Sequence, residues 1–210
     1  MTRLPASVVL FDCDGVLVDS DASVTAAWSQ WARENGVPPA DVMAVVHGRR
    51  SADTVAMFIA APQRAVVLAQ IDDYELQAAV GVRAVPGARD LLAALPAHAW
   101  AVVTSGRRQL ALARLTAAGL PQPAVLVTGD DVHRGKPDPE GYLSAVAQLG
   151  AETSEAIVVE DSPEGIRAAR AADVRSVLGV GSRARTAGAD AHVPDLSGVR
   201  WDGQGLSVSS

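Results

Sequence analysis

A chain of 210 residues, 49% hydrophobic and 20% charged, holds enough apolar material for a large buried core and lacks the bias of a disordered or fibrous protein. Its formal charge of −6 argues against nucleic acid or an anionic membrane surface as a main partner, so any phosphate has to be met by a local site. A single cysteine, Cys13, excludes an internal disulfide, and no apolar stretch approaches the ~18 residues of a membrane span, so a soluble, cytoplasmic protein is expected.

The first apolar run of strand length, residues 8–11, leads straight into Asp12-Cys13-Asp14-Gly15, with Cys13 read as a small filler beside the strand end. Residues 12–99 then separate it from the next run, far more than the ~10–15 residues of a crossover helix. The intervening segment reads as helical over about 22–83. Val24, Trp28 and Trp31 fall at i, i+4 and i+7, and further helices are expected over 42–46, 54–61 and 65–80. Gly36-Val37-Pro38-Pro39 and Ala61-Pro62 break them. This predicts a small all-helical cap, residues 21–83, inserted in a core made of 1–20 and 84–210, with connections near Asp19-Ser20 and residues 84–87.

Strand-length runs recur at 100–104, 124–128, 156–160 and 175–179, each apolar on both faces, as in a parallel sheet covered by helices on both sides. Helical spacing appears between them in Leu91, Leu92 and Leu95, then in Leu143, Val146 and Leu149, with Pro86-Gly87 and Pro163 where helices can begin. Abundant alanine predicts close helix packing. The tail from Ser182, rich in Gly, Ala and Ser, specifies little. The expected fold is α/β, a doubly wound parallel sheet carrying an inserted all-helical cap.

Ligands of such a sheet bind beyond the carboxyl ends of its strands. There this chain places Asp12 and Asp14, then Thr104-Ser105-Gly106, then Arg134-Gly135-Lys136-Pro137, then Glu160-Asp161. For a phosphoryl group, Asp12 can attack phosphorus, and Asp14 can protonate the departing oxygen and later take a proton from water. Four carboxylates in one crevice would repel one another, so a divalent cation is expected, and hard oxygen ligands with a phosphate point to Mg²⁺. Of 18 basic side chains only Lys136 is lysine, a compact charge suited to phosphate. The Thr104 hydroxyl and the N–H groups of Ser105 and Gly106 can hold non-bridging oxygens. In the helical insert, a turn at Gly48 can aim His47 and Arg49 at the crevice, the alternative being a solvated Arg and a capping His. Arg50, Trp28 and Asp53 read as structural.

Each piece alone has a plainer reading: a turn or calcium loop at Asp12–Gly15, a capped strand-to-helix turn at Thr104–Gly106, an acidic helix start at Glu160–Pro163. A calcium hand is disfavoured by Val16 at a ligand position and by the strand that precedes the motif. Their occurrence at four successive strand ends makes coincidence a poor explanation.

Together, Asp12-Cys13-Asp14-Gly15, Val103-Thr104-Ser105-Gly106, Gly135-Lys136-Pro137-Asp138-Pro139 and Val159-Glu160-Asp161-Ser162 resemble, in order, the four motifs of the haloacid dehalogenase superfamily of phosphatases, over roughly residues 7–180. The resemblance implies the family's Rossmann-like core and an aspartyl-phosphate at Asp12, with Asp14 as acid and base and Lys136 steadying the phosphate. It implies Mg²⁺ held by Asp12, the backbone carbonyl of Asp14 and Asp161, with Glu160 a weaker ligand candidate. The cap, with Ala27-Trp28-Ser29-Gln30-Trp31-Ala32, His47-Gly48-Arg49 and Asp53-Thr54, is most similar to bacterial sugar- and polyol-phosphate phosphatases, and more loosely to glycerol-phosphate phosphatases; the same subfamily holds phosphoglycolate phosphatases and β-phosphoglucomutases. Asp14 speaks against a dehalogenase, the absence of a cap lysine against a phosphonoacetaldehyde hydrolase, and Val24, where the mutases place a histidine, against a mutase. A receiver-like phosphoacceptor switch would lack the cap and carry its phosphorylated Asp after the third strand. The expected partner is a small phosphorylated metabolite, acted on by a monomer or weak homodimer.

Overall fold

The computed structural model describes residues 2–209; positions 1 and 210, counted above with the core, lie outside them. The chain begins with β1 (Thr2–Pro5) and β2 (Val8–Phe11), then β3 (Val18–Asp19) leads to α1 (Asp21–Glu34), α2 (Pro39–Met43), α3 (Ser51–Phe58) and α4 (Arg64–Ala78). It returns through β4 (Arg83–Ala84), which pairs antiparallel with β3 so that Val18 faces Ala84 and Asp19 faces Arg83. The remainder is α5 (Ala88–Ala94), β5 (Trp100–Val103), α6 (Arg108–Ala117), β6 (Val125–Val127), α7 (Glu140–Leu149), β7 (Ala156–Glu160), α8 (Pro163–Ala171), β8 (Ser176–Val180), β9 (Ala191–Val193), β10 (Val199–Trp201) and β11 (Gly205–Val208).

Six strands form one parallel sheet in the order β6-β5-β2-β7-β8-β9, with β2 at its centre. Its two faces follow the period of two along each strand. Val9 and Phe11 of β2 pack with Leu91 and Leu92 of α5 and Leu115 of α6; Val8 and Leu10 pack with Tyr142, Ala145 and Val146 of α7 and Ile166, Ala168 and Ala169 of α8. Small Ala faces on α7 and α8 allow the close approach expected from composition. The helical insert has its own apolar cluster, in which Trp28 and Trp31 meet edge to face at 5.3 Å and the Trp31 indole donates to the Val67 carbonyl (2.8 Å).

Several expectations are corrected. Leu143 is 43% exposed, because the inward stripe of α7 runs through Tyr142, Ala145 and Val146 and leaves position 143 rotated out. The second insert helix starts at Pro39, where proline suits a first helical position, and the third begins at Ser51 instead of 54. The tail is better specified than its composition suggests: β9 adds a sixth strand to the sheet, and β10 and β11 join β1 in a separate antiparallel sheet of order β1-β11-β10.

Candidate active site

Asp12 follows the last residue of β2, its N–H bonded to the Val159 carbonyl of β7 (3.0 Å). Lys136 Nζ donates to Asp12 Oδ1 (2.5 Å), to Glu160 Oε1 (2.7 Å) and to the Val103 carbonyl (3.1 Å), so the ends of β2, β7 and β5 meet on one ammonium with all three donors engaged. Glu160 is equally saturated. Its Oε1 also accepts from the Tyr142 hydroxyl (3.0 Å), and its Oε2 from the N–H groups of Asp161 and Ser162 (2.8 Å each) and the Ser162 hydroxyl (3.0 Å). The Ser162 hydroxyl in turn caps α8 at the Gly165 N–H, and a Cβ at Gly165 would run into the Glu160 carboxylate.

These charges shape one another. Burial, aided by the negative charges of Glu160, Asp161 and Asp14, pushes the Asp12 carboxyl well above its usual range in spite of Lys136. Burial and Glu160 push Asp161 up to about 7 against the pull of Arg183. Burial disfavours the Lys136 ammonium, but Asp12 and Glu160 outweigh it and hold its pKa well above the ordinary lysine value. Carboxylate oxygens of Asp12, Glu160 and Asp161 lie within 4.8 Å of one another. Among the described residues, Asp12 Oδ2 and Asp161 Oδ1 accept no hydrogen bond, whereas both Glu160 oxygens are taken. Asp12 and Asp161 therefore fit a hard cation such as Mg²⁺, which would favour their ionised forms; Glu160 serves better to anchor Lys136 and the start of α8.

Asp14 lines the same pocket as Asp12 and Asp161. Its Oδ1 accepts from the Ser20 hydroxyl (2.6 Å) and its Oδ2 from Arg114 Nη1 (3.0 Å), so both oxygens are oriented while the side chain stays partly open to the pocket. Arg114, on α6, also reaches Glu75 of α4 through Nη2 (3.2 Å). Arg183 binds Asp161 with Nε and Nη2 and grips Asp21 of α1 at 2.8 Å through both Nη atoms.

Thr104, Ser105, Gly106, His47, Gly48 and Arg49 line the same pocket. The Gly106 N–H donates to the Thr104 hydroxyl oxygen (3.1 Å), which leaves the Thr104 hydrogen for a ligand. The Ser105 hydroxyl instead reaches the Gly48 carbonyl (2.8 Å), and Gly48, at φ 78, lies so close to the Ser162 side chain that a Cβ would collide with it. Arg49 pairs with Glu164 of α8 (2.7 Å). His47, its pKa lowered by burial and by Arg183 against the pull of Asp21 and Asp14, sits on the wall. Arg50 bonds Asp53 and the carbonyls of Val132 and His133, tying the insert to the loop that carries Lys136, while Trp28 is buried in the insert's own cluster and touches the pocket.

Sequence reasoning passed over Arg114, Arg183, Glu75 and Tyr142. Arg114 and Glu75 had a signal. Arg114 follows Leu110 by four residues and Glu75 follows Ile71 by four, so each charge falls on the buried face of its helix. Arg183 sits in the segment whose composition specifies little, and nothing in its neighbours marks it.

A family model described as haloacid dehalogenase-like hydrolase matches residues 6–173. Hexitol phosphatase A of Escherichia coli is 42% identical over 168 residues, 78% of this chain and 78% of that protein. Validoxylamine A 7'-phosphate phosphatase of Streptomyces hygroscopicus subsp. limoneus is 41% identical over 208 residues, 92% of this chain and 96% of its own. Among solved structures, a hydrolase from Pseudomonas syringae superposes with a TM-score of 0.82 at 26% identity, covering 90% of this chain and 94% of the other.

Proposed function

The chain belongs to the haloacid dehalogenase-like hydrolases, and from that membership we propose that it is a Mg²⁺-dependent phosphatase that hydrolyses a small sugar- or polyol-phosphate monoester through an aspartyl-phosphate. The observation that carries the reading is Asp12, with one oxygen on Lys136 and the other unengaged beside Asp161, on the same pocket as Asp14. The phosphatase names of the relatives support the substrate class.

In this reading Asp12 Oδ2 attacks phosphorus while Lys136 stays on Oδ1 and neutralises charge as the phosphoryl group moves. The Thr104 hydroxyl and the Ser105 N–H receive the non-bridging oxygens. Asp14, oriented by Ser20 and Arg114, gives its proton to the departing alkoxide and then takes one from the water that cleaves the acyl phosphate. Asp12, Asp161 and the Asp14 backbone carbonyl would hold Mg²⁺, which when bound offsets the charge of carboxylates and phosphate together. Residues 21–83 act as a cap domain over the core, and the β3–β4 ribbon that joins the two is the hinge on which the cap would open to admit substrate. The protein acts in the cytoplasm as a monomer or weak homodimer; among the described residues no helix is long and apolar enough to cross a membrane.

Phosphate release from a panel of phosphorylated metabolites, with and without EDTA, tests the reading. Release that EDTA abolishes and magnesium restores is expected; no release from any sugar or polyol phosphate would overturn it. A mutase is less well supported, because Val24 occupies the place on the pocket wall where the mutases' histidine is expected. Accumulation of a hexose 6-phosphate from its 1-phosphate, in place of free phosphate, would reverse that preference. Phosphoglycolate or glycerol phosphate as the best substrate in the panel would move the assignment to those phosphatases.

A further inference from the structure

Glu75 and Arg114 are both buried, 6% and 2% exposed, and both line the pocket that holds Asp14. An apolar pair at these two inward helix positions would pack at least as stably as a buried ion pair. Arg114 is held by carboxylates alone: Nη1 on Asp14, Nη2 on Glu75, and an Nε with no partner. One guanidinium thus fixes the separation between Asp14, beside which the ester oxygen must lie, and a second carboxylate deeper in the helical insert. Glu75 accepts one bond on each oxygen, from Arg114 on Oε1 and from the Ser51 hydroxyl on Oε2 (3.1 Å), and each oxygen keeps a further acceptor site. Val24 and Trp28 give the same pocket an apolar side.

We infer that Glu75 is a specificity-determining residue that accepts hydrogen bonds from hydroxyls on the carbons next to the ester, and that Arg114 is the positioning residue that aligns Glu75 with Asp14. The inference rests on the phosphatase reading and narrows it: the leaving group is an alcohol hydroxylated close to the phosphoryl oxygen, with C–H faces for Val24 and Trp28, as in the polyol chain of a hexitol phosphate. A leaving group without those hydroxyls strands a buried carboxylate and is rejected.

The test compares kcat/KM for hexitol 6-phosphate with that for p-nitrophenyl phosphate, in the unmodified protein and in E75Q, with kcat and KM resolved. The ratio is expected to fall about ten- to hundredfold in E75Q, through KM, because one hydroxyl–carboxylate contact is lost. A purely structural latch would move both substrates together. Should E75Q fail to fold, the unmodified protein decides alone: hexitol 6-phosphate is expected to exceed hexyl phosphate by about a hundredfold or more in kcat/KM. An unchanged ratio in folded E75Q, or equal turnover of hexitol and hexyl phosphates, overturns the role of Glu75 and leaves the phosphatase standing. No phosphate from any of the three substrates overturns the role of Glu75, and none from the wider panel overturns the phosphatase as well.

Discussion

On the strand-end side of the pocket a single lysine gathers Asp12 and Glu160, and its partners come from the ends of three neighbouring strands. On the cap-facing side the cations are arginines, and each spans two layers: Arg114 joins Asp14 of the core to Glu75 of the insert, Arg183 joins Asp161 to Asp21, and Arg49 joins the insert to Glu164. The contrast follows from side-chain chemistry. An ammonium is a compact charge that three convergent oxygens can saturate, whereas a planar guanidinium holds two carboxylates apart at a fixed spacing. One side concentrates charge, and the other sets distances between the core and the insert.

The strongest way to break this comparison is Asp12→Asn, expected to lower turnover by on the order of 10⁴-fold or more with the fold intact by circular dichroism. Substantial residual hydrolysis would show that the reacting group lies elsewhere. Lys136→Met leaves Asp12 and Glu160 buried without their cation, and a loss of about 3–5 kcal/mol in urea-unfolding stability is expected along with activity. A variant as stable as the parent would mean the lysine is dispensable to the cluster. A smaller effect is expected across the pocket. Arg183→Gln removes a positive charge from Asp161, and the half-saturating magnesium concentration, by isothermal titration, should fall about three- to tenfold; a rise would mean that Arg183 chiefly holds Asp161 in place.

The smallest effect belongs to a carboxylate outside both sides. Burial raises the Asp190 pKa, but Arg170 and the Val177 N–H together bring it below the ordinary value. A folded pKa below the unfolded one gives stability that is present above about pH 4 and is lost as pH falls through the folded value. Asp190→Asn should flatten the acid limb of the stability profile by well under about 1 kcal/mol, since the pair is more than a third exposed. An unchanged acid limb would remove Asp190 from the pH dependence.

The strand-end side was open to sequence reading because a buried parallel strand is a bare apolar run, and the polar residue that ends it stands out, as Asp12 does after Val8–Phe11 and Glu160-Asp161 do after residues 156–159. The cap-facing side hides its charges within amphipathic helices, where Arg114 and Glu75 read as ordinary surface residues until the helix face is worked out. The tail was harder still. The strand β9 has only three residues, and β11, which carries β10 at its other edge, gains its meaning from pairing with β1 some two hundred positions away, a contact that no local pattern announces.

The solitary lysine has a practical corollary. Amine-acylating reagents meet one ε-amino group in this chain, and it is buried and gripped by two carboxylates. Modification at Lys136 would then be slow, so an everyday labelling chemistry becomes a stopwatch for how often that buried ammonium is uncovered.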